Sequence, residues 1–219
     1  MAVTAVTGLE AEARIARRSG LEAIATGGRP KRIEASVLHA IGKGATVLLS
    51  FGVAGGLDPE LTAGSLVIGT LVRAAHEEWP CDAALQARLG GRLPAARLAP
   101  IAHAGEPVAT VAAKRRLRAA TAAACVDLES GIAARLAHEA GLPFVVLRAI
   151  ADSAHSELPQ AALVGLAEDG TTALEAVIGS CLVNPWQVPR LIGLAIETRR
   201  ALLALVGAGR ALGEVFAGV

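Results

Sequence analysis

Two short apolar runs in this 219-residue chain end in acid: Val126-Asp127-Leu128-Glu129 and Phe144-Val145-Val146-Leu147-Arg148-Ala149-Ile150-Ala151-Asp152. A carboxyl group at the end of a buried run is partly stripped of water, which favours its protonated form. Two carboxyls in different surroundings can then divide the work of proton donor and proton acceptor. The apolar residues leading into Asp152 supply such desolvation. Arg148 opposes it, because four places back along a strand lies on the same side, and a cation lowers the pKa of a neighbouring acid. A third acid, Glu12, follows Thr7-Gly8 in "VTGLEAEA", where a strand gives way to a helix. Taken singly, each has an ordinary explanation: Glu12 and Glu129 as first-turn acids favoured by a helix dipole, Asp152 as an N-cap ahead of "SAHSEL". Only convergence would make them a site.

Convergence requires particular elements. Strands are expected over Ala2 to Val6, Thr46 to Val53, Ser65 to Leu71, Ala124 to Leu128 and Phe144 to Ile150, alternating with alanine-rich helical stretches, and this order predicts an α/β domain with a largely buried sheet. Between the last two strands, Ile132, Leu136 and Ala140 recur every fourth residue while Arg135, His138 and Glu139 face away. Gly141 and Pro143 end that pattern, which predicts an amphipathic crossover helix. A strand, a helix and a strand in about 25 residues form a βαβ unit whose ligand site lies beyond the carboxyl ends of its strands, where Glu129 and Asp152 fall. The segment "FGVAGGLDPELTAGSLVIG" joins two strands through Gly52, Gly55, Gly56 and the turn Asp58-Pro59. It lacks the Gly-Lys-Ser/Thr of a phosphate loop and the spacing of a dinucleotide fingerprint. Its glycines serve either a close backbone approach to a ligand or a tight turn with positive φ.

Composition narrows the partners. With 21 basic and 20 acidic residues the net charge is +1, too weak a field to hold a phosphate backbone, and with no tyrosine and few other aromatics the chain lacks stacking platforms, so nucleic acid is excluded as a partner. Cys81, Cys125 and Cys181 are too scattered for a disulfide framework or zinc cluster and read as buried thiols. The five histidines show no paired ligand spacing, so no metal is expected. The N-terminus has its basic residues after the apolar stretch, the wrong order for a secretory signal, and no long window lacks charge, so the chain is read as cytoplasmic. The cluster "KRRLR", Lys114 to Arg118, is read as a solvated helix face, with a phosphate site as the alternative.

Together, "VTGLEAEA", "FGVAGGLDPELTAGSLVIG" and "VDLESGIAARLAHEAGLPFVVLRAIADSA" resemble the nucleoside phosphorylase and methylthioadenosine/S-adenosylhomocysteine nucleosidase superfamily, in order and spacing, over roughly Met1 to Leu166. The resemblance implies a three-layer α/β fold with a mixed central sheet flanked by helices, spanning residues 1–219 as one domain with an amphipathic helical extension at about 184–219. It implies that Glu129, with Leu128 beside it, holds the ribose hydroxyls and that Asp152 protonates the purine at N7. Val53, Ala54 and Gly55 would lie along base and ribose, with Val108 near where the nucleosidases stack a phenylalanine. A glutamate at the place of Glu12 activates the attacking water in the nucleosidases. The hexameric phosphorylases have an arginine for phosphate there and a second near Leu49 or Ser50; neither is present. Ala151 also departs, standing where the nucleosidases usually carry a serine.

The implied activity is cleavage of the N-glycosidic bond of an adenine nucleoside without a cofactor, by water; inorganic phosphate would be a co-substrate only if the reaction is phosphorolytic. Phosphorolysis and a catalytically silent nucleoside-binding module remain the alternatives. The ending "NPWQVPRLIGLAIETRRALLAL" is similar to the hopanoid-associated phosphorylase branch, which implies a 5′-substituted, lipid-linked substrate such as adenosylhopane. On that helix Leu191, Ala195, Leu202 and Leu205 form one stripe and Arg190, Glu197 and Arg200 another, suited either to core packing or to peripheral contact with the inner face of a membrane. The superfamily's habit of assembly and a mean hydropathy of +0.50 predict a homodimer or larger.

Overall fold

The computed structural model describes residues 2–74, 76–163 and 183–217. In order these form β1 (Val3–Thr7), α1 (Glu10–Arg18), β2 (Glu22–Ala25), α2 (Pro30–Gly42), β3 (Val47–Gly56), β4 (Leu66–Ala74), β5 (Glu77–Pro80), α3 (Ala83–Arg92), β6 (Arg97–His103), α4 (Val111–Thr121), β7 (Cys125–Asp127), α5 (Ser130–Glu139), β8 (Phe144–Asp152) and the short α6 (Gln160–Leu163). A 3₁₀ turn at Pro185–Gln187 then leads into a C-terminal helix, Val188–Phe216. Cys181, Met1 and the last two residues of the expected extension lie outside the described residues. Among the described residues no helix is long and apolar enough to cross a membrane.

The eight strands make one mixed sheet, ordered β2-β1-β3-β7-β6-β4-β5, with β8 pairing both β3 and β4. That double pairing closes β3, β7, β6, β4 and β8 into a ring. β3 and β8 are its spine and are buried on both faces, which is why they read as continuous apolar runs rather than alternating ones. Their side chains still alternate. Val47, Leu49 and Phe51 with Val145, Leu147 and Ala149 pack among Ala16 of α1, Leu85 and Leu89 of α3, and Leu205 and Leu212 of the C-terminal helix. Leu48, Val146 and Ile150 pack with Ile33 and Val37 of α2 and Ala133, Leu136 and Ala137 of α5. Helices thus cover both faces of the sheet, as the α/β expectation requires.

Several local expectations change. β7 and β8 do not form a parallel βαβ pair: β7 runs antiparallel to β3 while β8 runs parallel to it, and Gly55 of β3 is the point where both meet, opposite Val126 and Asp152. β8 continues two residues past Ile150, so Asp152 is its last residue; no helix follows until Gln160, and Asp152 is not an N-cap. The glycines Gly52, Gly55 and Gly56 belong to β3 rather than to a turn. In α5 the buried stripe is Ala133, Ala134, Leu136 and Ala137, and Ala140 is exposed. The C-terminal helix starts before Pro189 and runs for 29 residues, longer than its apolar pattern implied. Three unforeseen strands explain themselves. β2 and β5 are four-residue edge strands with charged or proline residues, and β6 carries Pro100, whose ring argues against a strand in sequence although its carbonyl still accepts from the Ala124 amide.

Candidate active site

Ring closure brings the ends of β1, β3, β7 and β8 around one cavity of about 190 Å³. All eight residues singled out in the sequence, Glu12, Val53, Ala54, Gly55, Val108, Leu128, Glu129 and Asp152, line it. Gly8, Leu9, Glu106, Pro107, Val126, Asp127, Ala151 and Leu158 complete the wall. No lysine or arginine is among these lining residues.

Glu12 sits in the first turn of α1, but its carboxylate turns inward and is 1% exposed as a residue. Oε2 accepts from the amides of Gly8 (3.0 Å) and Leu9 (2.8 Å), and Oε1 from that of Val53 (2.7 Å) across on β3. The helix-terminus explanation is therefore half of the account; the other half is a strand 41 residues away. β3 can come this close because position 52 has no side chain: a Cβ there would lie 2.7 Å from the Glu12 carboxylate. Close approach, not a turn, is what Gly52 serves. Burial pushes the Glu12 carboxyl up, and the amides of Leu9, Val53 and Gly8 together with Arg148 only partly offset it.

Behind the cavity wall lies a buried ion cluster. Asp127 ends β7 and accepts through Oδ1 from the amides of Ser130 (2.9 Å), the first residue of α5, and Glu129 (3.2 Å) just ahead of it. Its Oδ2 accepts from Arg148 Nε at 2.7 Å and from the Ser130 hydroxyl. Arg148 Nη2 reaches Ser50 Oγ at 2.6 Å, and Glu129 Oε2 and Ser130 Oγ at 3.2 Å each. Arg148 thus serves Asp127 and Glu129, not Asp152 as strand spacing suggested: Arg148 leans toward β7, while Asp152 lies at the strand end. One guanidinium faces three carboxyls. Burial pushes Asp127 up, but Arg148, the nearby His103 and the Ser130 hydroxyl outweigh it and hold the group well below the usual carboxylate range. Glu129 goes the other way: burial, with Asp127 and Glu12 nearby, outweighs the pull of Arg148 and drives it up to about 8. Gly8 makes room for it, since a Cβ there would lie 2.7 Å from Glu129 Oε1.

Asp152 has its own cation. Lys114, from the "KRRLR" segment read as a solvated face, is 1% exposed and reaches in from α4 to pair through Nζ with Asp152 Oδ2. It also donates to the carbonyls of Ser153 (2.7 Å) and Ser156 (3.0 Å). The other basic residues of that segment are at least partly exposed, so the solvated-face expectation fails for Lys114 alone. Burial raises the Asp152 carboxyl and Lys114 pulls it back, with a net rise. Sequence reasoning missed Lys114, Asp127, Ser50 and Ser130; the one available signal was a lysine at helical position 114 followed by three arginines within four residues, which did not say which side faced inward.

Residues 23–181 match the family model of the phosphorylase superfamily. Comparison with curated proteins gave no match. Among solved structures, a Helicobacter pylori 5′-methylthioadenosine nucleosidase variant with 5′-methylthioadenosine in its active site superposes with a TM-score of 0.67 at 15% identity, covering 83% of this chain and 98% of that one. Helicobacter pylori futalosine hydrolase gives 0.65 at 16% identity over 81% of this chain and 97% of that one. The S-adenosylhomocysteine nucleosidase of Streptococcus pyogenes gives 0.66 at 15% identity over 93% and 94%. At these identities the likeness is one of fold.

Proposed function

This chain belongs to the phosphorylase superfamily, and on that premise we propose that it cleaves the N-glycosidic bond of a purine nucleoside with water as the nucleophile. The observation that carries the reading is the Glu12 carboxylate, fixed by three backbone amides in the cavity that Asp152 also lines. Breaking this bond passes through an oxocarbenium-like sugar and calls for an acid at the leaving base and an activated nucleophile at the sugar. Asp152 takes the first task and protonates N7. Glu12 takes the second and draws a proton from water. Glu129 and the neighbouring Leu128 hold the ribose, and Val53, Ala54, Gly55 and Val108 flank base and sugar. The sequence carries neither phosphate-binding arginine of the hexameric phosphorylases, and among the described residues no lysine or arginine lines the cavity to hold a phosphate anion.

The test is product analysis with adenosine-type substrates. Free base and free sugar should form at the same rate in phosphate-free and phosphate buffer. A sugar 1-phosphate whose yield scales with phosphate concentration would overturn the hydrolytic reading, and no base release in either buffer would overturn the function.

The base we propose is adenine, on a nucleoside with a bulky 5′ substituent such as adenosylhopane. The similarity of the chain's ending to the hopanoid-associated branch supports this, as does a row of exposed apolar residues on the C-terminal helix, Val188, Ile192, Ile196, Leu203 and Val206, with Trp186 ahead of it. This row lies opposite the stripe of Ala201, Leu205, Ala208 and Leu212 that packs on the core. An exposed tryptophan, an apolar row and Arg199 and Arg200 alongside suit peripheral contact with a lipid surface. Ile192→Glu with Ile196→Glu should abolish flotation with anionic liposomes while sparing turnover of a short soluble nucleoside; unchanged flotation would remove the lipid reading. A homodimer or larger assembly completes the proposal, checked by sedimentation.

A further inference from the structure

The acids given a task by the nucleosidase reaction proposed above are held in unlike ways, and the role inferred here rests on that reaction. Glu12 is fixed by three backbone amides from two elements, and Glu129 bonds the Arg148 guanidinium. Asp152 has no such frame. It is the last residue of β8, and on the β3 side it lies over Gly55, where an added Cβ would stand 3.5 Å from Oδ2 and 3.6 Å from Oδ1. Ala151, next to it, carries no polar side-chain atom. Among the described residues only one group donates to the Asp152 carboxyl, the Lys114 ammonium at Oδ2, which leaves Oδ1 to the cavity that Asp152 lines. The other two donors of that ammonium go to the carbonyls of Ser153 (2.7 Å) and Ser156 (3.0 Å), and the Ser156 amide donates to the Ser153 carbonyl at 3.1 Å. One buried side chain from α4 therefore holds both the acid and the turn that follows it. The remaining charged groups around the carboxyl are engaged elsewhere or stand off: Asp127 is held by Arg148, Glu106 lies on the cavity wall, and His155 and Glu157 are exposed on the following loop.

We infer that Lys114 is the positioning residue of the proposed general acid: it pins Oδ2 of Asp152 and the turn from Ser153 to Ser156, so that Oδ1 meets the purine. As the C1′–N9 bond breaks, its electron pair passes to the purine and N7 takes the proton from Oδ1. Water bonds through oxygen to C1′ and yields a proton to Glu12. Glu12 returns that proton to solvent and Asp152 regains one through the cavity, so water is added across the bond and Lys114 keeps its protons throughout. The ammonium has a second effect on the same carboxyl. Burial makes Asp152 hold its proton more tightly, and the cation beside it makes the proton easier to give up, which suits an acid that must protonate a weakly basic ring nitrogen. Lys114 is not among the residues that line the cavity, so its part is played through Asp152 and belongs to kcat rather than KM.

The experiment measures kcat and KM across pH for wild type, Lys114→Met, Lys114→Gln and Asp152→Asn, with melting temperatures alongside. Lys114→Met removes the donors and the charge; Lys114→Gln removes the charge and keeps an amide donor. In Lys114→Met kcat should fall about 10²-fold, the scale of a reacting group misplaced by about 1 Å, with KM little changed. The alkaline limb of kcat marks loss of the proton from Asp152, and with the cation gone it should move to higher pH in both lysine variants. Lys114→Gln should recover part of the rate, since its amide still donates to the carboxyl, without moving the limb back. A limb that stays at its wild-type pH overturns the inference and marks a structural tether, as does wild-type kcat in a folded Lys114→Met, or a rise in KM that accounts for the whole loss. If Lys114→Met does not fold, the limb in Lys114→Gln decides; failure of both to fold marks a purely structural lysine and overturns the inference too. Full activity in Asp152→Asn sinks the acid and this role with it. No base release by wild type sinks the nucleosidase reading itself, a different result from an active wild type beside unaltered lysine variants.

Discussion

Glu12→Gln is expected to lower kcat by about 10²- to 10⁴-fold, the range of a lost general base, with a much smaller change in KM. The substitution keeps the shape and removes the charge. It also disturbs the amide cradle. Three N–H donors converge on two carboxylate oxygens, so the new amide nitrogen must face at least one of them, and a mismatch of this kind costs about 1–3 kcal/mol of stability. Melting temperature therefore has to be recorded beside the rate. The pH profile separates loss of the base from loss of the fold. Glu12 acts ionised, and burial raises its pKa, so wild-type kcat/KM should climb with pH through a limb above the ordinary carboxylate range. That limb should vanish in Glu12→Gln, leaving a low rate set by the acid alone. A folded Glu12→Gln with wild-type kcat would show that the nucleophile is activated elsewhere.

Arg148→Met should cost about 3–5 kcal/mol of folding stability, enough to leave a domain of ordinary stability partly unfolded. Arg148 is fully buried and bonds Asp127, Ser50, Glu129 and Ser130 at once. Removing it strands Asp127, which is itself enclosed and held by the guanidinium well below the usual carboxylate range. Without the cation, only His103 and the Ser130 hydroxyl oppose burial, the largest influence on the group, so its folded pKa is expected above the unfolded one. A raised acid stabilises the fold at low pH and loses that contribution as pH rises, so the variant should be least deficient in acid and most deficient above neutrality. Asp127→Asn in the Arg148→Met background should recover part of the loss, because the stranded charge is gone. Denaturant unfolding of the single and double variants measures this. A loss below about 1 kcal/mol, or no recovery in the double variant, would mean that the cluster is solvated rather than sealed. Activity should fall in both variants, since Glu129 loses the partner that orients it.

Glu129 and Asp152 were legible in the sequence because each stands where a short apolar run bounded by turn residues stops, and such a run reads as a buried strand. β8 from Phe144 to Asp152 is buried along its whole length, and Glu129 and Asp152 stand at the cavity as the pattern and the family resemblance implied. Gly52 was visible as a glycine in a strand, though not what it made room for. The partners of the charges were not legible. Lys114 meets Asp152 across 38 positions of chain, and Arg148 meets Asp127 across 21. Periodicity along one element states which side of it is buried, but not which other element lies against that side. Strand order decides this, and here it follows from β8 pairing with both β3 and β4, which sets β7 antiparallel to β3 at Gly55. Sequence alone determined that these carboxyls leave water, since desolvation depends on the apolar residues beside them. Only the tertiary structure decided which cation each one meets, because at ion-pair distance a shift of one strand position turns a side chain to the opposite face of the sheet.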